Sequence, residues 1–189
     1  MKKTRGRGCA FFLVIIMVIT ATFVLSDDWY WKKLYPFHYQ SMIEQEAARY
    51  NLSPYLVAAV VRVESKFRPF AESKKGARGL MQIMPETGQW AAEQMGLADF
   101  HAQKLFDPHV NIRIGTWYLA KLIEQFEGDV IVALAAYNGG QSNVQRWLAE
   151  GQWQHGINSV DDIPFPETQL FVKRVLTDER RYQDLYAST

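Results

Sequence analysis

Cysteine is almost absent from this sequence, since Cys9 is the only one among 189 residues. An intrachain disulfide is therefore impossible, even if the chain is exported to an oxidising compartment. Repeats and low-complexity segments are also lacking, while apolar residues make up 48% and aromatic residues 14% of the chain. This composition excludes a disordered or collagen-like protein and suffices for one domain of roughly 150 residues with its own core.

The sequence also lacks the patterns of several common functional sites. The motif His-Glu-x-x-His does not occur, and the spacing of the four histidines is not typical of metal ligands. Neither a Gly-x-Ser-x-Gly nucleophile elbow nor a phosphate-binding glycine loop is present. We therefore expect neither a metal nor a cofactor.

Positive charge is concentrated at the amino terminus. Residues 1–26 contain four basic residues and no acidic one, whereas the remainder contains 17 basic and 20 acidic residues. The remainder is therefore slightly acidic, and no basic patch predicts nucleic acid as a partner.

The amino terminus has the features of a targeting element. Its basic cap precedes an apolar run from Cys9 to Leu25, which as a helix is about 25 Å long and close to the lower limit for crossing a bilayer. This run is longer than a usual signal-peptide core, and no small-x-small cleavage site precedes Ser26. An aromatic cluster at residues 29–31 follows at once, as is typical of the outer membrane interface.

These features predict three segments: a signal anchor at residues 1–26, a short aromatic juxtamembrane segment at 27–37 and a domain at 38–189. We expect the basic end to face the cytoplasm and the domain to lie outside the cytoplasmic membrane, attached through the amino-terminal helix. The alternative is that the apolar segment is cleaved as a signal peptide and the domain is secreted. We expect a monomer.

Capping signals and apolar periodicity predict a compact, mainly α-helical domain. Ser53-Pro54 and Asp107-Pro108 each combine an N-cap residue with a proline at the first helical position. The helix after Asp107 is apolar on two faces, so we expect it at the centre of the core. Residues 70–84 lack helical periodicity and contain two glycines, which favours a small β-hairpin. The predicted helices cover about 38–50, 54–68, 85–95, 108–127, 130–137, 142–150 and 167–186.

One acidic residue continues an apolar stripe. Glu64 follows Leu56 and Val60 at helical spacing, so its carboxyl group is expected to lie against apolar side chains. Such surroundings disfavour the anion and raise the pKa toward the range useful for proton donation. The alternative is a carboxylate at the end of the helix that reaches water or pairs with Arg62 or Arg78.

Four segments stand out in order along the domain. They are Glu64-Ser65, Gly-Ala-Arg-Gly-Leu-Met-Gln-Ile-Met-Pro at 76–85, Ala-Tyr-Asn-Gly-Gly at 136–140 and Pro-Glu-Thr-x-x-Phe-Val at 166–172. Each is a weak signal alone, but the ordered set resembles the Slt-type (family 1) lytic transglycosylases of the lysozyme-like superfamily. The resemblance covers nearly all of residues 38–186.

The resemblance implies an α+β lysozyme-like fold and a cofactor-free enzyme that acts on peptidoglycan. It implies cleavage of the β-1,4 bond between N-acetylmuramic acid and N-acetylglucosamine, with formation of 1,6-anhydromuramoyl ends. Two alternatives stay open: a hydrolase of the same fold, like goose-type lysozyme, and a non-catalytic glycan-binding protein.

The resemblance also implies which residues form the site. Glu64 would be the sole catalytic acid and base, and Tyr137 and Asn138 would supply hydrogen bonds beside it and beside the N-acetyl group of the substrate. Phe171 stands where the family often has tyrosine, so a hydroxyl contact is lost there. The residues implied to bind substrate are Ser73, Gln82, Met84, Tyr137, Asn138 and Glu167.

Each of these polar residues also has a structural interpretation. Ser73 could serve only to close a turn, and Gln82 could be a core amide bonded to the backbone. Tyr137 and Asn138 could be a buried tyrosine and a capping asparagine at a helix end. Glu167 could be an ordinary first-turn acid that the helix dipole favours.

Overall fold

The computed structural model describes residues 5–25, 28–153 and 160–187, which fold mainly into α-helices as the sequence predicts. Short 3₁₀ helices occupy Ala102–Phe106 and Val160–Asp162. The α-helices are α1 Arg5–Leu25, α2 Asp28–Leu34, α3 Gln40–Arg49, α4 Pro54–Ser65, α5 Pro85–Gln94, α6 Pro108–Gln125, α7 Val130–Gly139, α8 Gln141–Ala149 and α9 Pro166–Tyr186.

The helix starts follow the capping signals in the sequence. The hydroxyl of Ser53 accepts a hydrogen bond from the backbone N–H of Leu56, and Pro54 is the first residue of α4. The carboxylates of Asp107 and Asp129 accept backbone N–H groups at the starts of α6 and α7. These side chains satisfy donors that have no partner within the helix, which explains why the predicted starts of α4, α6 and α7 agree with the observed ones.

Helix α6 lies at the centre of the core, as predicted. It packs against α3, α5 and α7, and its residues Ile112, Ile114 and Leu119 are fully buried. Helices α4 and α9 form the most extensive helix pair. The apolar stripe of α4 is buried in this arrangement, so the last turn of α4, with Glu64, is held against the domain interior.

The predicted β-hairpin at residues 70–84 is wrong. Within the described chain this segment forms no strand, only isolated antiparallel bridges that join Glu72 to Arg78 and Arg78 to Ile83. The segment is instead a chain of turns, with Gly76 and Gly79 at positive φ.

A buried side chain of α6 takes the hydrogen bonds that a partner strand would otherwise supply. Asn111 is fully buried, and its Oδ1 accepts the backbone N–H of Met81 at 2.7 Å. Its Nδ2 donates to the carbonyl oxygens of Arg78 at 2.9 Å and Leu105 at 2.7 Å. Because one amide bonds to three backbone groups, two of them buried, the segment is ordered without a β-ladder.

The segment before α3 is packed on the carboxyl-terminal half of α9. The hydroxyl of Tyr182 donates to the carbonyl oxygen of Pro36 at 3.0 Å, and that of Tyr186 donates to the carbonyl oxygen of Tyr35 at 2.9 Å. The guanidinium of Arg181 also lies over the ring of Trp31, 4.2 Å from its centroid. The chain that enters the domain is therefore fixed to α9 by directional contacts.

The predicted membrane span is not confirmed by the fold. When only the described residues are considered, no helix has both the length and the hydropathy needed to cross a bilayer.

Alanine substitutions at two glycines of the turn segment can test how tightly α6 holds this segment. A Cβ atom on Gly79 would lie 2.1 Å from the carbonyl oxygen of Leu105 and 2.2 Å from Nδ2 of Asn111, whereas one on Gly76 would meet no atom within 4 Å. Both glycines have positive φ, so an alanine at either position introduces a similar backbone strain of about 1–2 kcal/mol. We expect Gly76→Ala to lower the free energy of unfolding by about that amount and Gly79→Ala by about 3 kcal/mol or more, because the clash adds to the strain.

Urea denaturation followed by tryptophan fluorescence measures this difference. Equal destabilisation by the two substitutions would show that the contact with Asn111 does not constrain the segment.

Candidate functional site

All seven residues proposed from the sequence line one cleft of about 400 Å³. They come from the end of α4, the turn segment, the end of α7 and the start of α9, so the fold gathers four distant parts of the chain. The full lining is Glu64, Ser73, Lys74, Lys75, Ala77, Gln82, Met84, Tyr137, Asn138 and Glu167.

Glu64 is a partly buried acid whose proton is held unusually tightly. Burial raises its pKa from 4.5 to about 8, and the negative charge of Glu167 adds to the effect. Arg62 does not offset this, since it pairs with Asp178 at 3.2 Å. Arg78 likewise pairs with Glu72 at 3.1 Å. The alternative that Glu64 pairs with one of these arginines is therefore wrong, and at neutral pH its carboxyl group is mostly protonated.

Glu167 is the second carboxyl group of the cleft. It lies in the first turn of α9 and is exposed, unlike Glu64. Its position fits the structural interpretation of a first-turn acid, and it also lines the cleft. The cleft therefore contains two carboxyl groups in different environments, that of Glu64 partly buried and that of Glu167 exposed.

Tyr137 is held by the turn segment. Its hydroxyl donates to the carbonyl oxygen of Met81 at 2.7 Å, and its ring is parallel to that of Phe171 with centroids 6.4 Å apart. Burial, with a further contribution from Glu64, raises the pKa of Tyr137 well above its usual range, so the phenol stays neutral. Because the hydroxyl proton is directed at Met81, the hydrogen bond that we expected Tyr137 to donate beside Glu64 is not available in this arrangement.

Asn138 lies beside Tyr137 near the end of α7. Its Oδ1 accepts a hydrogen bond from the hydroxyl of Thr168 at 2.9 Å. Among the described residues no acceptor is present for its Nδ2, so the amide N–H groups are the part left for a ligand in the cleft.

Ser73 and Gln82 both bond to the backbone of the turn segment, as their structural interpretation requires, and both also line the cleft. The hydroxyl of Ser73 accepts the backbone N–H of Ala77 at 3.0 Å and closes the turn. The Nε2 of Gln82 donates to the carbonyl oxygens of Ala71 at 3.1 Å and Gly79 at 3.0 Å. Both residues thus shape the backbone of the cleft wall, and Gln82 has its side-chain oxygen left for a ligand.

Sequence reasoning missed several residues of the site. Lys74, Lys75 and Ala77 line the cleft, and Thr168 holds Asn138. A local signal was available for each, because the first three follow Ser73 in the same turn and Thr168 follows Glu167. No cluster of three potential metal ligands is present in the described part of the chain.

Comparison with known proteins gives a consistent picture. The transglycosylase SLT domain family matches residues 41–160. The soluble lytic murein transglycosylase of Salmonella typhimurium strain LT2 is 34% identical over 151 residues, covering 79% of this chain and 23% of that protein. The membrane-bound lytic murein transglycosylase C of Edwardsiella ictaluri is 29% identical over 173 residues, covering 77% of this chain and 46% of that protein. The chain thus spans about a quarter to a half of these relatives.

Solved structures agree with this result. The 70 kDa soluble lytic transglycosylase of Escherichia coli superposes with a TM-score of 0.76 at 32% identity, over 82% of this chain and 25% of that one, and is also known in complex with bulgecin A. An inactive glutamate-to-glutamine mutant of the lytic transglycosylase Slt from Pseudomonas aeruginosa gives a TM-score of 0.71 at 33% identity, over 81% and 25% of the two chains. The chain therefore belongs to the transglycosylase SLT domain family.

Proposed function

We propose that this protein is a peptidoglycan lytic transglycosylase that uses Glu64 as its only acid and base. The observation that carries the proposal is the raised pKa of Glu64, about 8, in a cleft that collects all the residues proposed from the sequence. The names of the relatives support the reaction and the polymer, and the inactive glutamate-to-glutamine mutant of one relative supports the need for a glutamate.

The first step is proton donation. Protonated Glu64 gives its proton to the glycosidic oxygen between N-acetylmuramic acid and N-acetylglucosamine, and the bond from that oxygen to C1 breaks. A carboxyl group with a pKa near 8 is protonated at neutral pH, so it enters the reaction in the required state. Glu64 leaves this step as a carboxylate.

The second step restores the acid. The carboxylate of Glu64 takes the proton from the 6-hydroxyl of the muramic acid, whose oxygen forms the new bond to C1. The product is a 1,6-anhydromuramoyl end, and no water is consumed. One group can serve both steps because its proton is returned within the same turnover, whereas hydrolysis usually requires two carboxyl groups.

The other residues of the cleft bind the sugars. Asn138 offers amide N–H groups, Gln82 an amide oxygen and Glu167 a carboxylate, while Met84 and the ring of Tyr137 provide apolar surface.

Substitution of Glu64 by glutamine tests the catalytic proposal. We expect Glu64→Gln to lower the release of muropeptides from purified peptidoglycan by at least about 100-fold, because the acid and base are removed together. The fold should be retained, since glutamine has the same shape and carries no charge to bury. Glu86→Gln, at an exposed acid in the first turn of α5, is the matched control and should keep full activity. Comparable activity of the two variants would remove Glu64 from the mechanism.

The position of Glu167 favours one alternative, a hydrolase of the same fold. A second carboxyl group in the cleft could activate water, as in two-carboxylate glycosidases. The products separate the two reactions, because the anhydro product is lighter by one water than the hydrolytic one. Mass spectrometry of a digest made in isotopically labelled water decides between them, since only hydrolysis incorporates the label.

The pH dependence of kcat/KM should reflect the ionisation of Glu64. Above a pKa of about 8 the free enzyme loses the proton that it must donate, so kcat/KM is expected to fall as the pH rises through this value. Removal of a nearby negative charge makes ionisation of Glu64 easier and lowers its pKa. Glu167→Gln should therefore move the basic limb of the profile to lower pH, whatever its effect on the maximum. A limb that stays in place, or moves to higher pH, would contradict the coupling of the two carboxyl groups.

We further propose the domain organisation 1–26, 27–37 and 38–189, with the first segment as an anchor in the cytoplasmic membrane and the domain on its outer side. The charge asymmetry of the amino terminus supports this orientation. The large apolar side chains from Phe11 to Ile19 are 38–68% exposed, and a relative is named as membrane-bound.

Membrane attachment can be tested by extraction. We expect the full chain to remain with the membrane fraction in alkaline carbonate, because the apolar segment lies in the bilayer. Lysine at both Ile16 and Ile19 should release the protein, since each charge at this depth costs about 2.5–3.5 kcal/mol. Leucine at the same two positions is the matched control and should leave attachment unchanged. Release of the unaltered chain would contradict the anchor.

A further inference from the structure

Thr168 is a buried polar residue beside the cleft that does not line the central space around Glu64. Only 2% of its surface is exposed, although its neighbours Pro166 and Glu167 in the first turn of α9 are exposed. Its hydroxyl donates to Oδ1 of Asn138 at 2.9 Å, across a separation of 30 residues. The start of α9 therefore provides a carboxyl group to the cleft through Glu167 and a hydrogen-bond donor to Asn138 through Thr168.

The neighbouring glycine shows that this contact is built into the packing. A Cβ atom on Gly139 would lie 2.9 Å from Oγ1 and 3.3 Å from Cγ2 of Thr168. The carbonyl oxygen of Gly139 is also held by Nδ2 of Asn143 at 2.7 Å. The end of α7 is thus fixed on both sides of Asn138, and the absence of a side chain at position 139 leaves the room that Thr168 occupies.

The hydrogen bond from Thr168 determines whether the oxygen or the N–H groups of the Asn138 side chain are available to a ligand. An asparagine amide can present either its oxygen or its two N–H groups. Because the oxygen of Asn138 is satisfied by Thr168, the N–H groups can face the cleft without leaving a buried acceptor unpaired. A valine at position 168 would place a methyl group against that oxygen, and the same orientation would then become costly.

We propose that Thr168 is a positioning residue: its hydroxyl fixes the amide of Asn138 so that Asn138 donates a hydrogen bond to the carbonyl oxygen of the acetamido group that the family resemblance implies beside it. This inference rests on the proposed function for its choice of ligand, since acetamido groups are carried by both sugars of the proposed substrate. Thr168 itself does not touch the sugar and acts through Asn138.

Binding of a short acetamido sugar tests the proposal without turnover. In the full chain with Glu64→Gln, we expect Thr168→Val to weaken binding of tetra-N-acetylchitotetraose about tenfold, because a hydrogen bond that orients the amide is lost. Thr168→Ser keeps the hydroxyl and should restore most of the affinity. Thr177→Val is the matched control, since Thr177 lies on the same helix, is exposed and bonds only to the backbone carbonyl of Lys173. Isothermal titration calorimetry gives the dissociation constants.

Two comparisons separate positioning from a general structural effect. Thr168→Val should have no further effect on binding once Asn138 is replaced by alanine, because the two residues act as one unit. The deacetylated tetrasaccharide should bind equally to the Thr168→Val and threonine-containing proteins, since it has no carbonyl oxygen to lose. A tenfold loss that persists with Asn138→Ala, or with the deacetylated sugar, would overturn the proposal.

Kinetics distinguish failure of this inference from failure of the proposed function. On soluble glycan strands, Thr168→Val in the otherwise unaltered enzyme should raise KM about tenfold and change kcat less than twofold, because the acetamido contact is made before the bond breaks. An enzyme that releases no anhydromuropeptide at all contradicts the proposed function, whereas full activity of Thr168→Val contradicts only the role of Thr168.

Discussion

The buried side-chain amide of Asn111 stabilises the cleft. Asn111 on the central helix α6 bonds to the backbone of Arg78, Met81 and Leu105, and so orders a segment that has no strand partner. Met81 in turn accepts the hydroxyl of Tyr137, which connects the same segment to the end of α7. Without Asn111, the buried N–H of Met81 and the buried carbonyl oxygen of Leu105 would lose this partner, and the turn segment would no longer be bonded to α6 through this amide.

The raised pKa of Glu64 depends on burial and also on the pairing of Arg62 and Arg78 with other acids. A carboxyl group near arginine usually has a lowered pKa, and the sequence allowed Glu64 to pair with Arg62 or Arg78. The fold directs Arg62 to Asp178 on α9 and Arg78 to Glu72 in the turn segment. Neither arginine therefore lowers the pKa of Glu64, which burial and the negative charge of Glu167 both raise.

Local signals were sufficient to predict most of the helices, whereas the membership of the cleft was implied by the resemblance of four ordered segments to a known family. Caps such as Ser53 and Asp107 act within one turn, and apolar spacing placed Glu64 on a buried stripe. The predictions that failed depended on contacts between distant residues. The hairpin was replaced by bonds to Asn111, some 30 residues away, and the hydroxyl of Tyr137 was taken by Met81, 56 residues away. Periodicity carries no information about such side-chain partners, because it describes faces and not individual bonds.

The packing of residues 35–36 on α9 fixes the distance along this helix between the point where the chain enters the domain and the cleft. Tyr182 and Tyr186 hold residues 35–36 near one end of this helix, while Glu167 lies in the cleft at the other end. The nineteen residues from Glu167 to Tyr186 span about 28 Å in a helix. The two ends of α9 thus have separate tasks, because one end receives the incoming chain and the other supplies Glu167 to the cleft.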